Sequence, residues 1–300
     1  MTSIEKKIFD FIQKHIIFVF LGVVTIGGIL LRISGINYES DDFKSILSRW
    51  WDIIQASDIS GLANQIGNYN IPYQIIIFIM TRFPVNALFA YKLLSIVFDV
   101  VLSVVAAKLV YELSGKKFLS AVAYAITFCS ITVIFNSAFW AQCDSIYVSF
   151  ILLALYFTLK DKPIVTFVML GIALAFKLQT VFILPFFFCY YLITRKVSIL
   201  HFLIIPAVDI LMCLPAVFLG RNPMDIVTIY LKQTDYGKHI QMNCPNIYAF
   251  MCNNRNTANY ELFKTFSIFL TITVIAIMIF YLWYKRANLL DGKMFMLVAV

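Results

Sequence analysis

The apolar runs in this chain are too long for the strands or core helices of a water-soluble domain. Ile16 to Leu31 is sixteen residues without a charge, and Leu262 to Tyr284 carries only Lys264, near its start. Runs of about 18 or more apolar residues are long enough to cross a bilayer. A backbone in lipid must satisfy its own hydrogen bonds, which leaves helices or closed barrels. No period-2 alternation runs through these segments, so the expectation is helical. The chain is 61% hydrophobic and 13% charged, with a mean hydropathy of +0.86, which agrees with that reading.

The expected architecture is all-α: a polytopic transmembrane bundle in one domain covering 1–300. Spans are expected at 16–34, 87–113, 118–136, 144–160, 163–177, 181–194, 197–219 and 262–284, with a ninth opening near Met294, making eight or nine. The first is expected to be a retained anchor. Glu5 and Asp10 are mixed with Lys6, Lys7 and Lys14 ahead of it, and no small-x-small cleavage site follows before Arg32. Ile71–Phe83 is too short to cross and is expected to lie in the interface or to re-enter. With that choice, Lys6/Lys7/Lys14, Lys116/Lys117, Lys160/Lys162, Arg195/Lys196 and Lys285/Arg286 all fall on one side. That side is then the cytoplasm, with the N-terminus in it. The opposite, external side receives the long first loop Ser34–Asn86, the link Asn136–Ser145 and the loop Arg221–Tyr260.

Net charge is +8, but the basic residues sit between spans and form no stripe interleaved with aromatics. Nucleic acid is therefore not an expected partner, whereas membrane lipid is. The six cysteines form no CxxC pair. Most fall in apolar runs and read as small core residues; Cys244 and Cys252 share a loop and have the option of pairing. The three histidines are scattered, and no GxSxG, P-loop or GxGxxG occurs.

The chemistry-bearing residues cluster in the external links. Asp41 and Asp42 follow the first span. Adjacent carboxylates there can act as a general base or hold a divalent cation, though no cofactor is firmly implied and no metal ligand is assigned. The competing reading is a helix cap ahead of the amphipathic segment around Trp50 and Trp51. In the second link, Trp140, Gln142, Asp144 and Tyr147 combine aromatic faces with hydrogen-bonding groups, as a sugar pocket would; the alternatives are an interfacial belt for Trp and Tyr and a helix cap for Asp144. Lys177, with Gln179 beside it, is either a snorkelling lysine or a phosphate contact. Lys92 and Asp99 share a face of the second span about 10 Å apart along its axis, too far to pair. Lys92 is near the outer end and is expected to face the same site, and Asp99 to bond another helix. Asn246 lies in the polar, turn-rich stretch Gln241–Tyr248, which could cover a pocket or be no more than a connection.

Taken together, Ser40-Asp41-Asp42-Phe43 with Trp50, Gly67-Asn68-Tyr69-Asn70-Ile71-Pro72-Tyr73, Lys92-Leu-Leu-Ser95 with Asp99, Trp140-Ala-Gln142-Cys143-Asp144-Ser-Ile-Tyr147, and Phe176-Lys177-Leu-Gln179 before Leu184-Pro185 resemble one family. It is the bacterial mannosyltransferase-like membrane proteins similar to the second mannosyltransferase of GPI-anchor synthesis, within the GT-C glycosyltransferase superfamily. The resemblance covers roughly residues 16–260. It implies a hexosyltransferase, mannosyl above all, in the cell membrane. Such an enzyme takes its sugar from a polyprenyl-phosphate donor and adds it to a glycan or lipid acceptor outside the cytoplasm, with inversion. Asp42 matches the position of the catalytic base, with Asp41 as the other candidate. Asp144 matches the acidic position of the second external loop, and Lys177 suits the carrier phosphate. Family members continue through further spans and a later His-Glu-Arg-Tyr-like motif, so this chain, ending at Val300 just inside an apolar run, is expected to be a fragment. The rival from another class is a transporter or flippase for a lipid-linked sugar or polysaccharide; the absence of a repeat and the external placement of polar residues count against it.

Overall fold

The computed structural model describes residues 1–234, Tyr248, 259–292 and Phe295. Among these residues the α-helices are α1 (Ser3–Lys14), α2 (Ile16–Gly35), α3 (Ser48–Ala56), α4 (Ile71–Met80), α5 (Ala87–Ser114), α6 (Lys117–Phe128), α7 (Ile131–Ile134), α8 (Asp144–Leu159), α9 (Pro163–Phe176), α10 (Leu184–Thr194), α11 (Ile204–Phe218), α12 (Asp225–Thr234) and α13 (Tyr260–Tyr284). There is no strand among the described residues. Two compact units result. One is Met1–Val181 with Ser198–Pro223, and the other is Phe182–Val197 with Met224–Val300.

Among the described residues, four helices are long and apolar enough to cross a bilayer: α2, α5, α11 with the turn before it (Ile199–Phe218), and α13. A fifth results if α6 and the Ile131–Phe139 segment are one span, bent by 46° at Cys129–Ser130. α8, α9 and Leu178–Thr194 are apolar but shorter. α4 has ten residues, about 15 Å of helix against a hydrocarbon core of about 30 Å. It does not have the length to cross.

Local chemistry sets several boundaries. Thr2 and Glu5 form a capping box on α1. Asn70 Oδ1 accepts the Ile71 N–H at 2.8 Å, and Pro72 sits in the first turn of α4. Asn86 caps α5 through the Phe89 N–H at 2.8 Å. Within the first unit, α5 lies against α6 and α8, and α9 lies between α8 and α11. α9 and α11 approach so closely at Gly171 that a Cβ there would stand 2.6 Å from Val208.

Arg32 and Asp99 are buried together in the core of this unit. Asp99 of α5 takes Arg32 of α2, with Nη2–Oδ2 at 2.8 Å and Nε–Oδ2 at 2.9 Å. It also accepts the Ser137 hydroxyl on Oδ2 and the Ser145 hydroxyl on Oδ1, each at 2.5 Å. The Arg32 guanidinium lies 4.1 Å from the centre of the Phe128 ring. The expected bond from Asp99 to another helix is therefore present, and it ties α5 to three other segments at one level.

Candidate functional site

The site is built on the end of the first unit where α2 and α9 finish and α5 and α8 begin, away from the Lys116/Lys117 and Lys160/Lys162 turns. Ser40 Oγ accepts the Phe43 N–H at 3.1 Å and donates to the Trp140 carbonyl at 3.2 Å. It thus caps the helical turn that carries Asp41 and Asp42 and pins that turn to the second link. The chain runs on through a wide π turn, Phe43–Leu47, into α3. Trp50, Trp51 and Ile54 of α3 are buried against Tyr91 and Tyr73, while Asp52 and Gln55 point out. Serine is thus the cap, and the two acids are carried by the capped turn.

Asp42 Oδ2 accepts the Gln142 side-chain amide at 2.9 Å. Gln142 Oε1 in turn accepts the Tyr69 hydroxyl at 3.3 Å. Lys177 Nζ stands 5.6 Å from the Tyr69 ring centre and 5.7 Å from that of Tyr147, and it is ion-paired with Asp144 Oδ1. Asn136 donates to Asp144 Oδ2 at 2.7 Å. The result is one connected set, Asp42–Gln142–Tyr69–Lys177–Asp144–Asn136, drawn from four separate stretches of sequence. The structure brings Asp42, Gln142, Asp144 and Lys177 together.

The geometry supplies three qualifications. Asp41 is exposed and lies outside this chain of bonds. Asp144 is the first residue of α8 and makes no cap; its carboxylate is used on Lys177 and Asn136 instead. Lys92 does not face the site. Its ammonium is buried on the carbonyls of Gly35 at 2.7 Å, Ile36 at 3.1 Å and Tyr38 at 2.5 Å, where it satisfies the open C-terminus of α2. Trp140 is 43% exposed and Gln179 is exposed, so both sit at the rim. Asn246, the rest of the stretch Gln241–Tyr248 apart from Tyr248 itself, and both Cys244 and Cys252 lie outside the described residues. Among the described residues, no three His, Cys, Asp or Glu side chains gather where a metal ion could be held.

Tyr69 is the residue that sequence reasoning overlooked as a site member. Burial, with Cys143 and Asp144 nearby, pushes its hydroxyl well above the ordinary range, so it stays a neutral donor to Gln142. It follows Gly67, whose φ of +70° and contact with the Trp50 indole leave no room for a Cβ: one built there would fall 2.1 Å from the ring. A turn residue of this kind, two positions before a half-buried tyrosine and just ahead of a capped helix, was the available signal. Gly67→Ala should lower stability by about 2–4 kcal/mol, from left-handed strain plus overpacking. Thermal unfolding in detergent measures it, and an unchanged midpoint would refute this account of the turn.

Ala141 is also left-handed, with φ of 57° and no exposed surface. Strain at a buried non-glycine residue persists only where the surroundings over-determine it. Here it lies between Trp140 and Gln142 and aims the amide of Gln142 at Asp42. Beside it, burial raises the Cys143 thiol to about 11. Alkylation of Cys143 by a maleimide at pH 8 should therefore run more than about a hundredfold slower in the folded chain than after unfolding. Mass mapping of the labelled thiols tests this. Burial alone would lower Lys177, but Asp144 and Cys143 reverse the sign and hold it above its ordinary value near 10.5. Its pairing thus contributes throughout the neutral range and is lost only as pH rises through that elevated value.

No protein-family model matches the chain, and neither a curated protein nor a solved structure shows significant similarity to it.

Proposed function

We propose that the chain is a GT-C-type membrane glycosyltransferase that moves a hexose, mannose in the first instance, from a polyprenyl-phosphate donor to a glycan or lipid acceptor. In this reading the shorter apolar helices complete a bundle of eight or nine spans in the cell membrane. The N-terminus is cytoplasmic and the site faces outward. The observation that carries the proposal is the connection of one carboxylate, Asp42, to one ammonium, Lys177, through Gln142 and the Tyr69 ring, at one end of an apolar bundle.

This set supports inverting transfer chemically. The acceptor oxygen attacks the anomeric carbon, its proton passes to Asp42, and the bond from that carbon to the phosphate oxygen breaks with both electrons going to phosphate. The leaving group departs as an anion, so no second carboxylic acid is required; Lys177 supplies positive charge where negative charge develops. Gln142 fixes the plane of the Asp42 carboxylate, and the Tyr69 and Tyr147 rings give apolar faces on which a sugar can stack.

The chain reconstituted in liposomes with a radiolabelled polyprenyl-phospho-hexose should pass label to an acceptor fraction and release polyprenyl phosphate. Movement of intact donor across the bilayer without release of polyprenyl phosphate would sink the transferase reading and favour a flippase.

A further inference from the structure

At the opposite end of the first unit, α2, α5 and α6 diverge around a crevice of about 580 Å³. It has no part in the transfer site. Its inner wall is apolar, formed by Ile17, Leu21 and Val104, and the Thr25 and Tyr124 hydroxyls bond at 2.9 Å across its floor. Its mouth is cationic. Lys108, on α5, and Lys117, the first residue of α6, both line it and are both exposed. Among the described residues neither has a carboxylate within ion-pair distance. Glu112, the one acid at the mouth, is held by Lys160 at 2.6 Å. The first turn of α6 also lines the opening, and its N-terminus has no side-chain cap, so its amide groups add to the positive field.

An apolar slot on a bundle wall with a basic mouth matches an amphiphile whose head is anionic and whose tail is a hydrocarbon chain. Basic pockets between transmembrane helices recognise lipid headgroups in this way. We propose that this crevice binds one anionic glycerophospholipid, with its phosphate between Lys108 and Lys117 and an acyl chain along Ile17, Leu21 and Val104.

The test uses the full chain reconstituted with equal amounts of phosphatidylglycerol and phosphatidylcholine, extracted gently and weighed with its retained lipid by native mass spectrometry. Wild type should keep phosphatidylglycerol over phosphatidylcholine by roughly tenfold or more, given the attraction expected for two lysines. Lys108→Gln/Lys117→Gln should reduce that preference to near parity. Leu21→Trp, which fills the slot, should lose both lipids. Lys6→Gln/Lys7→Gln on α1 should change nothing. Equal retention of the two lipids by wild type would overturn the proposal. So would an equal loss of preference in the α1 variant, or full retention by Leu21→Trp. If the crevice lysine variant fails to fold, as judged by circular dichroism, the wild-type preference and Leu21→Trp still decide.

Discussion

Asp99→Ala should destabilise the bundle by about 3–5 kcal/mol, because it removes one partner of a buried ion pair and leaves the other charge without compensation. Arg32 is 1% exposed and Asp99 is fully buried. Removal of the carboxylate would also strip the acceptor from the Ser145 hydroxyl, which costs further energy when buried and unpaired, whereas Ser137 keeps the Val133 carbonyl at 3.1 Å. The loss should appear as early thermal unfolding and aggregation in detergent. An apolar pair of similar volume, Arg32→Met with Asp99→Leu, should recover most of the stability, since exchanging a whole buried pair for packed hydrocarbon is often neutral or favourable. A single variant as stable as wild type would show that the pair does not hold these helices together. Ser137 follows Asn136 and Ser145 follows Asp144, so the same variant should also loosen the contacts of Asp144.

Much of this architecture was legible in the sequence, for physical reasons. α2, α5, α11 and α13 are marked by apolar length with few charges, which few other structures permit. Ile71–Met80 was recognisable as a non-crossing helix because Arg82 and Pro84 stop it short. The gathering of Asp42, Gln142, Asp144 and Lys177 could be anticipated because all four follow or precede apolar runs at the same expected level. What the sequence concealed depends on neighbours. Lys92 has the length to reach the last carbonyls of α2, and nothing in its own helix announces that those carbonyls are beside it. Arg32 reads as the end of a span, yet it is drawn inward because Asp99 is across from it. Tyr69 sits in a loop, and its role arises only when Gly67 folds that loop under Trp50.

The largest catalytic effect is expected at Asp42. A positioned base typically contributes 10²–10⁴-fold, and an amide in its place cannot take a proton while still able to bond Gln142. Asp42→Asn should therefore fold normally and lose transfer by about that factor, whereas Asp41→Asn, altering an exposed side chain outside the bonded set, should stay within roughly tenfold of wild type. The two acids are adjacent and equal in charge, so the comparison separates a role in proton transfer from a general need for negative charge. The decisive measurement is the initial rate of hexose transfer from a polyprenyl-phospho-hexose by wild type, Asp42→Asn and Asp41→Asn in the same liposomes. The account predicts transfer by wild type and Asp41→Asn and its near-complete loss in Asp42→Asn alone. Wild-type rates in both variants would contradict it.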